Sequence, residues 1–96
     1  MQRELILQPP ALETLARLEA EDEKKLLKVR KTLGLMEANI RHPGLKTHKY
    51  HGLTGENAEE VWEAYVENNT PSAYRVFWHY GPGQAIITVI AITPHP

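Results

Sequence analysis

A chain of 96 residues, 42% hydrophobic and 24% charged, has the size and make-up of one globular domain spanning residues 1–96. It has no cysteine, which excludes a disulfide framework and a thiolate zinc site and suits a reducing cytoplasm. The opening MQRELILQPP holds no long apolar stretch, so neither a signal peptide nor a membrane span is expected. The net charge of −1 conceals an asymmetry. Residues 24–51 carry eight Lys or Arg, three His and one acid, Glu37, whereas from Gly52 onward Arg75 alone stands against five Glu. A basic half suits a polyanion such as nucleic acid; the plainer reading is a solvated helix face.

In chain order, residues 4–7 (ELIL) are a short apolar run stopped by Pro9-Pro10, and read as an edge strand. Pro10 suits the first turn of a helix, with Leu12, Leu15 and Leu18 on one face. The acidic stretch 19–23 reads as a corner between two helices, because acids favour a helix N-terminus. From about Asp22, Leu26, Val29, Leu33, Met36 and Ile40 form one stripe of an amphipathic helix, which Pro43-Gly44 should end. Gly34 inside it costs on the order of 1 kcal/mol relative to Ala and hints at close packing.

Residues 44–57, GLKTHKYHGLTGEN, have the composition of a loop. Residues 61–66 should be a strand with Trp62, Ala64 and Val66 toward the helices and Glu63, Tyr65 and Glu67 away from them. Asn68-Asn69-Thr70-Pro71 is a turn. Beyond it, two β-rich runs flank Gly81-Pro82-Gly83-Gln84, a hairpin signal. Tyr74, Val76, Trp78 and Tyr80 share one strand face; Arg75, Phe77 and His79 share the other. The run 85–93 is apolar enough for a strand buried on both sides. The order is therefore β-α-α-β-β-β, an α+β layering with an antiparallel-rich sheet under two helices. The sheet's second face, with Arg75, is expected to be open or cleft-like.

On that face an arginine and imidazoles can gather: Arg75, His95 past the last strand, and the stretch with Lys46, His48, Lys49 and His51. RNA cleavage needs such groups. A base takes the 2′-OH proton, an acid protonates the leaving 5′-oxygen, and a fixed guanidinium stabilises the phosphate charge. The plain readings are a surface arginine and a solvated C-terminal histidine. His48-x-x-His51 has loose metal-ligand spacing, but no Cys or nearby acid supports it, so no metal is expected.

The ordered set His51-Gly52-Leu53-Thr54-Gly55, Trp62-Glu63-Ala64-Tyr65-Val66 and Tyr74-Arg75-Val76-Phe77-Trp78, followed by an Ile/Val strand, resembles the RelE/ParE superfamily of bacterial type II toxins. RelE-like members are mostly ribosome-dependent endoribonucleases that cut mRNA, and ParE-like members inhibit DNA gyrase. The resemblance implies a phosphate-binding role for Arg75 and catalytic roles for His95, as in YoeB-like and YafQ-like members, and for His51, as in YafQ-like ones. It implies no cofactor, and it implies an antitoxin partner, for which the 4–7 edge could take an added strand. Lys46, His48 and Lys49 would position the RNA backbone. The chain departs from RelE on the strand 61–66, where RelE has basic residues on the exposed face and this chain has Glu63, Tyr65 and Glu67; Glu63 becomes a candidate general base. Those acids leave open a gyrase-blocking protein without chemistry, or an inactive relic.

Overall fold

The computed structural model describes residues 2–67 and 72–94. The expected turn at 68–71 and the candidate His95 lie outside the described residues. The elements are β1 (Glu4–Leu7), α1 (Pro9–Glu21), α2 (Glu23–Ala38), a 3₁₀ turn (Pro43–Leu45), β2 (His48–Thr54), β3 (Glu60–Tyr65), β4 (Tyr74–Tyr80) and β5 (Ile86–Pro94). The five strands lie in the order β1-β5-β4-β3-β2, with β1 parallel to β5 and the other pairs antiparallel. This is the expected α+β layering with one more strand. Among the described residues, no helix is long and apolar enough to cross a membrane.

Local chemistry explains most boundaries. Prolines 9 and 10 occupy the first turn of α1, where a missing N–H costs nothing. Asp22 then ends one helix and starts the next: its N–H bonds to Leu18 O, and its carboxylate accepts the Lys25 N–H. The acidic corner is thus a shared cap. α2 stops at Ala38, earlier than Pro43-Gly44 had suggested, because Asn39 turns extended. Ile40 still reaches the core after leaving the helix. Gly34 is a second correction. A Cβ there would meet nothing within 4 Å, so close packing is not its reason.

The core lies between the helices and one sheet face. Ala11, Leu18, Leu26, Val29 and Met36 meet Ala64, Val76, Trp78, Ile87, Val89 and Ile92. Gly81 and Gly83 both take positive φ in the hairpin turn, at 91° and 80°, where a side chain would be strained. Gly81 is fixed on both sides, its N–H bonded to Ile86 O and its carbonyl accepting the Thr88 hydroxyl. Ile87, Thr88 and Val89 are buried in succession, as a strand covered on both faces requires.

Two expectations fail on the far face. The 44–57 stretch is not all loop, since β2 forms the second sheet edge. Its side chains are almost all exposed, so no apolar alternation marks the strand. The face itself is not open either. Arg75, Phe77 and His79 are only 7%, 3% and 4% exposed. β4 is flanked on both sides, and neighbouring side chains close over it. Tyr50 from β2 packs on Phe77 with ring centroids 4.8 Å apart. Glu59 approaches His79 at 3.9 Å.

Candidate functional site

Register decides which side chains meet. His48 pairs with Glu63, Glu63 with Phe77, and Tyr65 with Arg75. Cross-strand partners share a face, as do residues two apart on one strand. His48, Glu63, Tyr65 and Arg75 therefore gather on the sheet face away from the helices.

The Arg75 guanidinium carbon lies 3.9 Å from the Tyr65 ring centroid. Its Nη1 donates to the carbonyls of Glu67, at 3.1 Å, and Tyr74, at 3.3 Å. Its Nε sits 3.9 Å from Glu63 Oε2, too far for a hydrogen bond. Both of those atoms are buried, and among the described residues neither has another partner. The other carboxylate oxygen, Oε1, is 2.7 Å from His48 Nε2. On the far side of the ring, His48 Nδ1 lies 3.1 Å from Lys46 O. A carbonyl only accepts, so Nδ1 carries a hydrogen there. One further hydrogen between Nε2 and Oε1 completes the contact. The result is a row of imidazole, carboxylate, guanidinium and phenol. The Glu63 side chain is 3% exposed and that of His48 is 48% exposed, so the imidazole is the surface end of the row.

The structure thus brings together Arg75, Glu63 and His48, with Lys46 held beside them through its backbone. His51 is exposed on β2 and takes no part in this row. Lys49 is on the opposite face: it pairs with Trp62 in the ladder, places its ammonium 5.6 Å from that ring and meets Glu60 at 3.2 Å. Tyr65 was missed as a partner for Arg75, although the alternation that puts Glu63 on this face puts Tyr65 there too. Among the described residues, no group of three or more His, Asp or Glu is placed to hold a metal.

Glu67 corrects the expected pattern. β3 ends at Tyr65, and Glu67 turns back to α2 instead of facing away. It pairs with Lys25 and Lys28 and accepts the Tyr74 N–H. Burial pushes its pKa up, but the two ammonium groups and the amide more than offset that and hold it at about 2, from an ordinary 4.5. A depressed carboxylate stabilises the fold above its unfolded pKa and loses that effect as pH falls through the folded one. Wild-type stability should therefore drop relative to Glu67→Gln between about pH 4.5 and pH 2. The loss should be on the order of 1 kcal/mol after solvent screening. Urea midpoints at stepped pH check this; a difference between the two proteins that stays constant across the window contradicts it.

Solved structures share this arrangement of helices and strands. The YoeB dimer from Staphylococcus aureus superposes with a TM-score of 0.66 at 17% identity over 100% of both chains. A YoeB/ParE toxin from Agrobacterium tumefaciens gives 0.69 at 16%, over 97% of this chain and 99% of its own. The chain has the RelE/ParE toxin fold. An archaeal RelE–RelB complex from Pyrococcus horikoshii OT3 shares it, with a TM-score of 0.67 at 13% identity, over 98% of this chain and 96% of the other. No family model and no curated protein matches the sequence. In this RelE-like fold, the His48–Glu63–Arg75 row spans the three consecutive strands β2, β3 and β4, on the side the helices leave uncovered.

Proposed function

We propose that this chain is the toxin of a toxin–antitoxin pair and cleaves RNA on the ribosome. The observation that carries the reading is the His48–Glu63–Arg75 row, a surface imidazole backed by a buried carboxylate and a guanidinium. In the reaction, O2′ attacks phosphorus and the P–O5′ bond breaks. One group takes the 2′ proton and another supplies a proton to O5′. His48 is the surface member of the row: Glu63, buried behind it, orients the ring through Nε2, and Nδ1 meets substrate by exchanging its contact with Lys46 O. Arg75 has Nη1 tied to two carbonyls and Nε turned to Glu63, which leaves Nη2 for a phosphate oxygen. His95 is the second proton-transfer group; Pro94, which precedes it, pairs with Tyr74, the neighbour of Arg75. His51 and Lys46 add contacts along the RNA backbone. The scheme uses no cofactor.

Solved structures of this fold include a YoeB–YefM toxin–antitoxin complex and a RelE–RelB complex, which supports an antitoxin partner here. The β1 edge is available to it for strand addition. One observation favours a second reading, a ParE-like protein that blocks DNA gyrase without chemistry: Arg75 is buried and tethered as a structural arginine would be. Primer extension on a translated message, run beside a gyrase supercoiling assay, separates the two. Cuts within the translated region are expected, and His48→Ala should slow them about 10²–10⁴-fold. Intact message with blocked supercoiling would overturn the ribonuclease reading.

A further inference from the structure

On the helix side of the sheet, next to the start of β2, the basic part of the chain meets an aromatic surface that already has cations at its borders, Lys49 beside Trp62 and Arg3 beside Tyr80. Trp62 and Tyr80, with Arg41, His42, Lys46 and Thr47, line an open pocket of about 440 Å³. Trp62 is backed by Trp78, with centroids 5.9 Å apart and planes 19° from parallel, and Tyr80 meets Trp62 nearly edge-on at 76°. The aromatic floor is therefore held in place before anything binds. Arg41 and Lys46 are exposed, and among the described residues neither has an acidic partner. Glu60, an acid at this edge, is already paired with Lys49. The Thr47 hydroxyl is buried and, among the described residues, without a hydrogen-bond partner.

Cations without counterions around a rigid aromatic floor are the two halves of single-strand recognition, phosphate contact and base stacking. We propose that this pocket is a nucleotide subsite, seating one base and its phosphate from single-stranded RNA beside the cut. The inference rests on the ribonuclease reading for its choice of a polymer over a free nucleotide. Lys46 and Thr47 line the pocket and His48 follows them directly, so a strand laid over this edge passes from the subsite to the candidate site. The base lies against Trp62 and Tyr80, and Arg41 and Lys46 meet the phosphate.

The test is titration of the purified protein with a short uridine oligoribonucleotide, followed by tryptophan fluorescence and by anisotropy of a labelled strand. The chain has 2 Trp, and Trp78 is fully buried, so quenching by a stacked base reports on Trp62. Saturable, salt-sensitive quenching is expected. Tyr80→Ala, at a site 41% exposed, should weaken binding by about tenfold, within the range for one stacked base. The Arg41→Ala/Lys46→Ala pair should weaken it about tenfold or more and flatten the salt slope by roughly 0.7 per lost contact. Wild-type affinity in both variants overturns the subsite, and uridine monophosphate binding as tightly as the strand overturns the polymer assignment. Ribosomes play no part in this measurement. A protein that binds the strand but cuts no message costs the ribonuclease reading alone; one that cuts without binding here costs the subsite alone.

Discussion

Trp78→Ala should leave the protein unfolded or barely folded at room temperature. The side chain is 0% exposed, stacked with Trp62 and edge-on to Tyr80 at 4.9 Å. Truncating a buried Trp costs about 3–5 kcal/mol, from the lost transfer energy and the cavity left behind. A domain of this size has on the order of 5–15 kcal/mol in total. Trp78→Phe is the informative control. Among the described residues the indole N–H has no partner, so its loss breaks no hydrogen bond there and the ring's packing largely remains. Circular dichroism with urea titration checks both variants. Wild-type stability in Trp78→Ala would show that the core does not lie between this sheet face and the helices.

Arg75→Ala should remove cleavage and, at the same time, about 3–5 kcal/mol of stability. Its guanidinium holds two carbonyls, covers Tyr65 and faces Glu63. Deleting it leaves the Glu63 carboxylate, which has little access to water, with His48 as its remaining charged neighbour on Oε1 and nothing facing Oε2 among the described residues. Adding Glu63→Gln should therefore recover part of the loss, because the stranded charge goes with it. A double-mutant cycle from urea midpoints reads that coupling as about 1–3 kcal/mol. If Arg75→Ala unfolds at the wild-type midpoint, the arginine is not held as described and stands free on the surface.

Burial decides which of these features the sequence disclosed. Tyr74, Val76 and Trp78 alternate with Arg75, Phe77 and His79 because one side of β4 meets the helices, and that alternation could be read directly. The acidic corner, the hairpin glycines and the β1 edge were legible because each rests on local chemistry: a cap, a positive φ and a proline stop. β2 was not. Only Tyr50 among its residues packs visibly inward, so an edge strand wrote no pattern into HKYHGLT. Missing it also hid the closure of the far face over Arg75, Phe77 and His79, because β2 supplies part of the cover. Glu67 escaped for a different reason. Period-two reasoning carried the strand beyond Tyr65, where the backbone had already bent toward Lys25 and Lys28. Of the candidate residues, strand alternation put Arg75 and Glu63 on one face, and the resemblance alone made Glu63 a candidate base. The contact of His48 with Glu63 required the β2–β3 register, which no local signal specifies.

The placing of β5 has a consequence for how the molecule comes into being. Glu4 pairs with Ile86 and Leu7 with Val89, so the first strand made waits for the last. β5 also forms the neighbour of β4, and no other strand lies between β1 and β4. During synthesis at about 5–20 residues per second, β1 and the apolar faces of both helices stay uncovered for several seconds, with nothing to pair against. Sequence-distant pairing of this kind also slows folding once the chain is complete. The half-made chain is therefore the form most exposed to aggregation and proteolysis. The Arg75 row also cannot settle early, since Arg75 takes its ladder partner Thr93 from the same late strand. The His48–Glu63–Arg75 row is therefore complete only after β5 has been made and has docked beside β4.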